Sequence, residues 1–171
     1  MLLLTNKIEV PKSLNSSGEP RDFLARNLIQ KACETSDFEH AQSCSTYASL
    51  CLSGTGGPRD IPTAVRYFEK LCQAPYNDAR ACVRLGSAYL REEGTFGEIP
   101  RNPTRAFELM QRACDDLGHP IGCHSLAVMY ASGDGIKKDS SKAVEYQEKT
   151  KEYLKRTGEK LGTIKMKPNS N

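Results

Sequence analysis

No apolar stretch in the 171-residue sequence approaches the ~20 residues a membrane helix requires, so no stable membrane insertion is expected. Met1-Leu2-Leu3-Leu4 supplies only four apolar residues before Thr5-Asn6-Lys7, short of the apolar core of a secretory signal. A mitochondrial presequence is Arg-rich and poor in acids, and Glu9 and Glu19 among Lys7, Lys12 and Arg21 fit that badly. Net charge is only +3, so nothing global points to nucleic acid or a membrane surface. The charge is uneven: residues 137–171 hold ten Lys/Arg against five Asp/Glu, a net +5, leaving −2 for the remainder.

Chemistry-bearing motifs are equally scarce. There is no Cys-x-x-Cys, the spacing typical of structural zinc sites and of thiol redox enzymes. Cys123-His124 lacks the upstream cysteine of a covalent haem site. Gly54-Thr55-Gly56-Gly57 lacks the Gly-Lys-Ser/Thr end of a phosphate loop and reads as an inter-helix turn. No Ser-x-x-Lys is present, and Ser140-Ser141-Lys142 reads as a helix start. Glu92-Glu93 reads as a solvated pair at a helix end. His40, His119 and His124 support no ligand set, and the last two read as loop and surface residues. No catalytic constellation can be assembled from these parts, so no catalytic residue, metal or cofactor is expected.

Cysteine, by contrast, is plentiful and in phase. Cys33 and Cys44 flank ten residues, Cys72 and Cys82 nine, and Cys114 and Cys123 eight. The first members recur at intervals of 39 and 42 residues, the second at 38 and 41. Periods of this length mark a repeat architecture. Cysteines in phase with it suggest disulfides Cys33–Cys44, Cys72–Cys82 and Cys114–Cys123 that clip each unit to the next, and an oxidising compartment. Each small loop is worth roughly 2.5–3 kcal/mol in the chain-entropy picture. Cys51 stands apart, at a core-facing position, and reads as a buried, inert free thiol.

Aligning the second cysteines gives three helices, Cys44 to Gly54, Cys82 to Gly94 and Cys123 to Gly133. Three residues on come Tyr47, Leu85 and Leu126, four on Ala48, Gly86 and Ala127, and seven on Cys51, Tyr89 and Tyr130. These positions share one helical face. The small residue allows a second helix to approach, and each terminal glycine suits a left-handed cap. A second helix then starts after Asp60, Asn102 or Asp139, all strong N-cap types, with Pro103 directly after its cap. Ala64, Ala106 and Ala143 lie four residues beyond, and Tyr67, Leu109 and Tyr146 three further. The glycine-containing loops between helices differ in length, as loops tolerate.

Counting back from Cys33 places Ala25 and Leu28 at the alanine and tyrosine positions, so residues 22–33 read as a leading half repeat. Full repeats follow at about 40–72, 78–114 and 120–156. Residues 1–21 show no helical period. At the last clip position Lys151 replaces cysteine, the final helix runs to about Arg156, and residues 157–171 read as a disordered basic tail with Lys160, Lys165 and Lys167.

The run Leu126-Ala127-Val128-Met129-Tyr130-Ala131-Ser132-Gly133-Asp134-Gly135-Ile136-Lys137-Lys138-Asp139, followed by Lys142-Ala143, resembles the signature of the Sel-1-like repeat family. The other two units match at the same positions. The resemblance implies an all-α fold, an α/α solenoid forming a right-handed superhelix of Sel-1-like, tetratricopeptide-like hairpins. Junction cysteines place the chain with the cysteine-rich branch, which includes secreted bacterial proteins and a eukaryotic group of the mitochondrial intermembrane space linked to assembly of cytochrome c oxidase, respiratory complex IV. Arg112 to Cys123 resembles the final junction of that group. The likeness implies a non-enzymatic, monomeric scaffold imported by an oxidative relay, with complex IV subunits or assembly chaperones as partners. An adaptor in the secretory pathway and a weak β-lactamase-like hydrolase are the alternatives. Cys51, standing where the repeat has tyrosine, departs from the pattern.

Overall fold

A computed structural model of the chain describes residues 21–35, 41–91 and 99–158. Seven α-helices occur among these residues: α1 (Arg21–Thr35), α2 (Ala41–Ser53), α3 (Ile61–Cys72), α4 (Ala79–Leu90), α5 (Pro103–Gln111), α6 (Pro120–Ser132) and α7 (Ser140–Thr157). A π-helical turn, Arg112–Asp116, prolongs α5. Among the described residues no helix is long and apolar enough to cross a membrane.

The second helix of each unit starts where a side chain can satisfy its free amides. Asp60 accepts from the Thr63 amide at 3.1 Å, Asn102 from Arg105 at 3.0 Å and Asp139 from Lys142 at 3.0 Å. Each cap is worth about 1 kcal/mol. The first helices begin three residues earlier than their cysteines suggest, at Ala41, Ala79 and Pro120. In α4 this is because Asp78 caps the amides of Arg80 and Ala81, and in α6 because Pro120 occupies the first turn, where its missing N–H costs nothing. Gly54 and Gly133 end α2 and α6 with φ of 76° and 80°. The middle helix behaves differently: α4 stops at Leu90, and the extended Arg91 follows it. Its expected terminator, Gly94, lies outside the described residues, as do His40, Glu92-Glu93, residues 1–20 and the tail from 159.

Successive helices pack antiparallel-wise into hairpins, and hairpin packs on hairpin around one continuous core. The two helix types form two layers of an α/α solenoid. Direct contact between α4 and α6 shows that first helices of adjacent units are neighbours. Within each unit the layers are tied by a repeated backbone bond. The amides of Asp60, Asn102 and Asp139 donate to the carbonyls of Cys51, Tyr89 and Tyr130, at 3.0, 2.9 and 2.9 Å. Gly86, at the small position of α4, admits α5: a β-carbon there would lie 2.9 Å from Met110 Cε.

The loop glycines also lock units together. Gly56 and Gly135 have φ of 71° and 75°, and a β-carbon would drive them into the carbonyls of Asp22 and Pro103 respectively. Asp22 and Pro103 both stand eleven residues before a junction cysteine. The Gly-x-Gly loop therefore seats on the first turn of the preceding second-type helix.

Leu28 differs in environment from its counterparts in the later units. It is 51% exposed, whereas Tyr67 and Tyr146, to which it was aligned, are buried. Those tyrosines are covered by the first helix of their own unit, and no helix of that kind precedes α1 among the described residues. The buried face of α1 is instead Arg26, Ile29 and Cys33.

Candidate functional site: the cysteine junctions and the first-helix face

Three disulfides stand at the three junctions, Cys33–Cys44, Cys72–Cys82 and Cys114–Cys123, with Cα separations of 4.8, 4.9 and 4.7 Å. All six cysteines are buried. Each later junction is also gripped by a basic side chain from the next second-type helix. Arg112 donates from Nε to the Cys72 carbonyl at 2.8 Å and from Nη2 to Asn77 Oδ1 at 2.9 Å. Lys149 donates to Asp115 Oδ1 at 2.6 Å, and the Tyr146 hydroxyl donates to Asp115 Oδ2 at 2.9 Å. Arg112 lies two residues before Cys114, and Lys149 two before the terminal Lys151, so this is one device used twice. Burial first, then the bond to Asp115, pushes the Tyr146 phenol well above its ordinary range. The bond to Asp115 likewise holds the Lys149 ammonium above its usual value. His119, expected as a loop residue, is the N-cap of α6, and its amide donates to the Ala113 carbonyl at 2.8 Å.

Cys51 is the free cysteine among the described residues, and it is buried. Its neighbour is a residue that sequence reasoning missed. Arg26, 7% exposed, donates from Nη2 to Cys51 Sγ at 3.4 Å and from Nη1 to the Pro58 carbonyl at 2.8 Å. Its guanidinium carbon lies 6.0 Å from the centre of the Tyr47 ring. Burial, then contact with the Cys51 thiol, pushes the Tyr47 phenol up to about 12. The cluster is enclosed, so its geometry is that of a packed polar core element. Among the described residues no three His, Cys, Asp or Glu side chains group as metal ligands.

Open grooves occur on both helix layers. A groove of about 240 Å³ runs between α2 and α4, lined by Gln42, Thr46, Ser49 and Leu50 on one side and Arg80 and Arg84 on the other. Arg80 Nη2 donates to Gln42 Oε1 at 3.0 Å across it. A second cavity, about 230 Å³, lies between α3 and α5 beside Gln73, Leu109 and Arg112. It opens where Leu109 takes the place that Tyr67 and Tyr146 fill in the other units.

Paired helices stacked through short loops, with a small residue at each close crossing and a groove across one layer, define a helical-repeat scaffold. The chain belongs to the Sel1 repeat family, whose model matches residues 41–76, 79–116 and 120–150. It is 30% identical over 150 residues to cytochrome c oxidase assembly factor 7A of Xenopus laevis, an alignment covering 86% of this chain and 62% of the relative. Cytochrome c oxidase assembly factor 7 of Xenopus tropicalis is 30% identical over 151 residues, with the same coverage. The chain thus spans about three fifths of the length of these relatives. Among solved structures it superposes on a Sel1 repeat protein from Oxalobacter formigenes with a TM-score of 0.64 at 22% identity, over 76% of this chain and 48% of that one. The Helicobacter pylori cysteine rich protein B gives 0.52 at 21%, over 72% and 89%. At these identities the structures speak to the fold alone.

Proposed function

We propose that the chain is a non-enzymatic scaffold in the assembly of cytochrome c oxidase, working in the mitochondrial intermembrane space. The observation that carries this reading is the 30% identity, over 86% of the chain, to relatives named as cytochrome c oxidase assembly factors. The fold supports it, because helical-repeat arrays recognise partners across an extended face. The working part is the half repeat 22–33 with repeats at about 40–72, 78–114 and 120–156. Its partners are complex IV subunits or assembly chaperones, and it acts as a monomer.

Three buried disulfides Cys33–Cys44, Cys72–Cys82 and Cys114–Cys123, with Cys51 free, suit a chain trapped by an oxidative import relay. Alkylation of the unreduced, unfolded protein from cells is expected to modify one thiol. Seven would place it in a reducing compartment and overturn the localisation. The function is tested by depleting the protein and measuring assembled cytochrome c oxidase, which should fall and recover with the wild-type chain. Unchanged oxidase, or a chain resident in the secretory pathway, would overturn it.

A further inference from the structure

The two layers differ in charge. The first helices α2, α4 and α6 contain no Asp, Glu or Lys and only two Arg, Arg80 and Arg84. The second-type helix α7 alone holds Lys142, Glu145, Glu148, Lys149, Lys151, Glu152, Lys155 and Arg156. A solvated helix face is normally charged, whereas depletion of charge marks the centre of a protein interface. Both arginines of the first-helix layer line the same groove. The outward positions two before, two after and five after each second cysteine run Gln42, Thr46, Ser49, then Arg80, Arg84, Ser87, then Ile121, Ser125, Val128. The face thus passes from hydroxyl and amide groups through cations to apolar side chains.

We infer that this face takes an extended acidic protein segment whose carboxylates sit on Arg80 and Arg84 and whose apolar side chain rests on Ile121 and Val128. The inference builds on the scaffold reading and names the chemistry of the partner. Among the described residues neither guanidinium is neutralised by a carboxylate. Arg80 bonds to the neutral Gln42, and Arg84 has no hydrogen-bond or ion-pair partner among the described residues. Asp78, which also lines the groove, is occupied in capping the amides of Arg80 and Ala81. Ile121 and Val128, 37% and 40% exposed, are two of the four exposed large hydrophobics among the described residues. They lie two helical turns apart on one face of α6. Two cations are too few for a nucleic acid, whose binding rests on many phosphate contacts, and the apolar end favours a peptide. One step from α4 to α6 is about 10 Å, which about three extended residues cover. The acidic pair and the apolar anchor should therefore stand about three residues apart.

The test is selection of a random peptide library on the oxidised full chain, followed by fluorescence anisotropy with the winning peptides. Acidic residues about three positions from an apolar one are expected to dominate. Arg84→Glu should weaken binding about tenfold or more, and the loss should shrink at high salt. Val128→Asp should also weaken it, while Arg105→Ala on the second-helix layer should change it less than about twofold. Melting curves of each variant report whether it is folded. Winners with no acidic enrichment, unaltered binding by folded Arg84→Glu, or tighter binding of single-stranded DNA or phosphatidylserine vesicles would overturn the assignment. If Arg84→Glu restores cytochrome c oxidase in depleted cells as well as wild type, the groove assignment fails while the assembly role stands. If depletion leaves the oxidase unchanged, the assembly role fails irrespective of the peptides.

Discussion

In the third unit Tyr130 stacks on Tyr146, with ring centres 5.5 Å apart and planes 12° apart, and Phe107 meets Tyr130 edge-on. In the first unit the residue matching Tyr130 is Cys51, and the residue matching Phe107 is Arg26. The aromatic partner of Tyr67 comes instead from one helical turn earlier: Tyr47 meets it edge-on at 5.6 Å. Leu126 holds the Tyr47 position in the third unit. The ring has therefore moved from the seventh to the third position after the cysteine, and the space it left is used by a thiol and a guanidinium. The backbone bonds from Asp60 to Cys51 and from Asp139 to Tyr130 are 3.0 and 2.9 Å. Main-chain ties and loop contacts set the geometry of a unit, so the interior side chains can be exchanged so long as volume and polar satisfaction are kept.

The largest effect should test what the two units share. Replacing Cys33 and Cys44 together by Ala, or Cys114 and Cys123 together, should each cost about 2.5–3 kcal/mol in equilibrium denaturation, because the closed loops are of similar length. Unequal costs would place the difference between the units at their junctions and not in their interiors. Next in size is the interior itself. Arg26→Ala leaves the Pro58 carbonyl and the Cys51 thiol without their donor in a buried site, at a cost of about 2 kcal/mol. A loss under about 0.5 kcal/mol, the range of ordinary surface substitutions, would show that Arg26 fills space without binding anything.

The repeat itself was legible because its signals are local and periodic: cysteines in phase, an Asp or Asn cap, a small residue at each crossing, and Gly-x-Gly loops. The Arg26–Cys51 contact was not, since it joins residues 25 apart in sequence and buries a charged side chain of a type that is mostly exposed. Its trace is nevertheless present. Arg26, Val65 and Phe107 occupy one position, and Cys51, Tyr89 and Tyr130 another, so the departure in one series accompanies the departure in the other. Leu28 holds the tyrosine position by sequence and is nevertheless exposed, because equal position gives equal environment only where a first helix covers it, and none precedes α1 among the described residues. The first-helix layer, free of Asp, Glu and Lys and charged only at Arg80 and Arg84, could also have been read from sequence. It becomes informative once the helices are known to share a layer.

The smallest expected effect concerns alkaline pH and sharpens the comparison from the phenol side. Tyr47 ionises at about 12 in the folded chain against an ordinary 10.0, chiefly through burial, and Tyr146 is displaced in the same direction by burial and by Asp115. Stability held by such a group is complete below pH 10. Above it the unfolded chain loses the phenolic proton while the folded chain keeps it, so stability falls as pH rises toward the folded value. Tyr47→Phe and Tyr146→Phe should each flatten the decline in denaturation midpoint between pH 10 and about 12. They should differ at pH 7. Tyr146→Phe forfeits a bond to a carboxylate and should cost about 1–1.5 kcal/mol, whereas the Tyr47 hydroxyl meets the weaker Cys51 thiol and Tyr47→Phe should cost less. Equal costs at pH 7 would mean that the Tyr146–Asp115 bond adds nothing beyond ring packing, and the two units would then differ in arrangement alone.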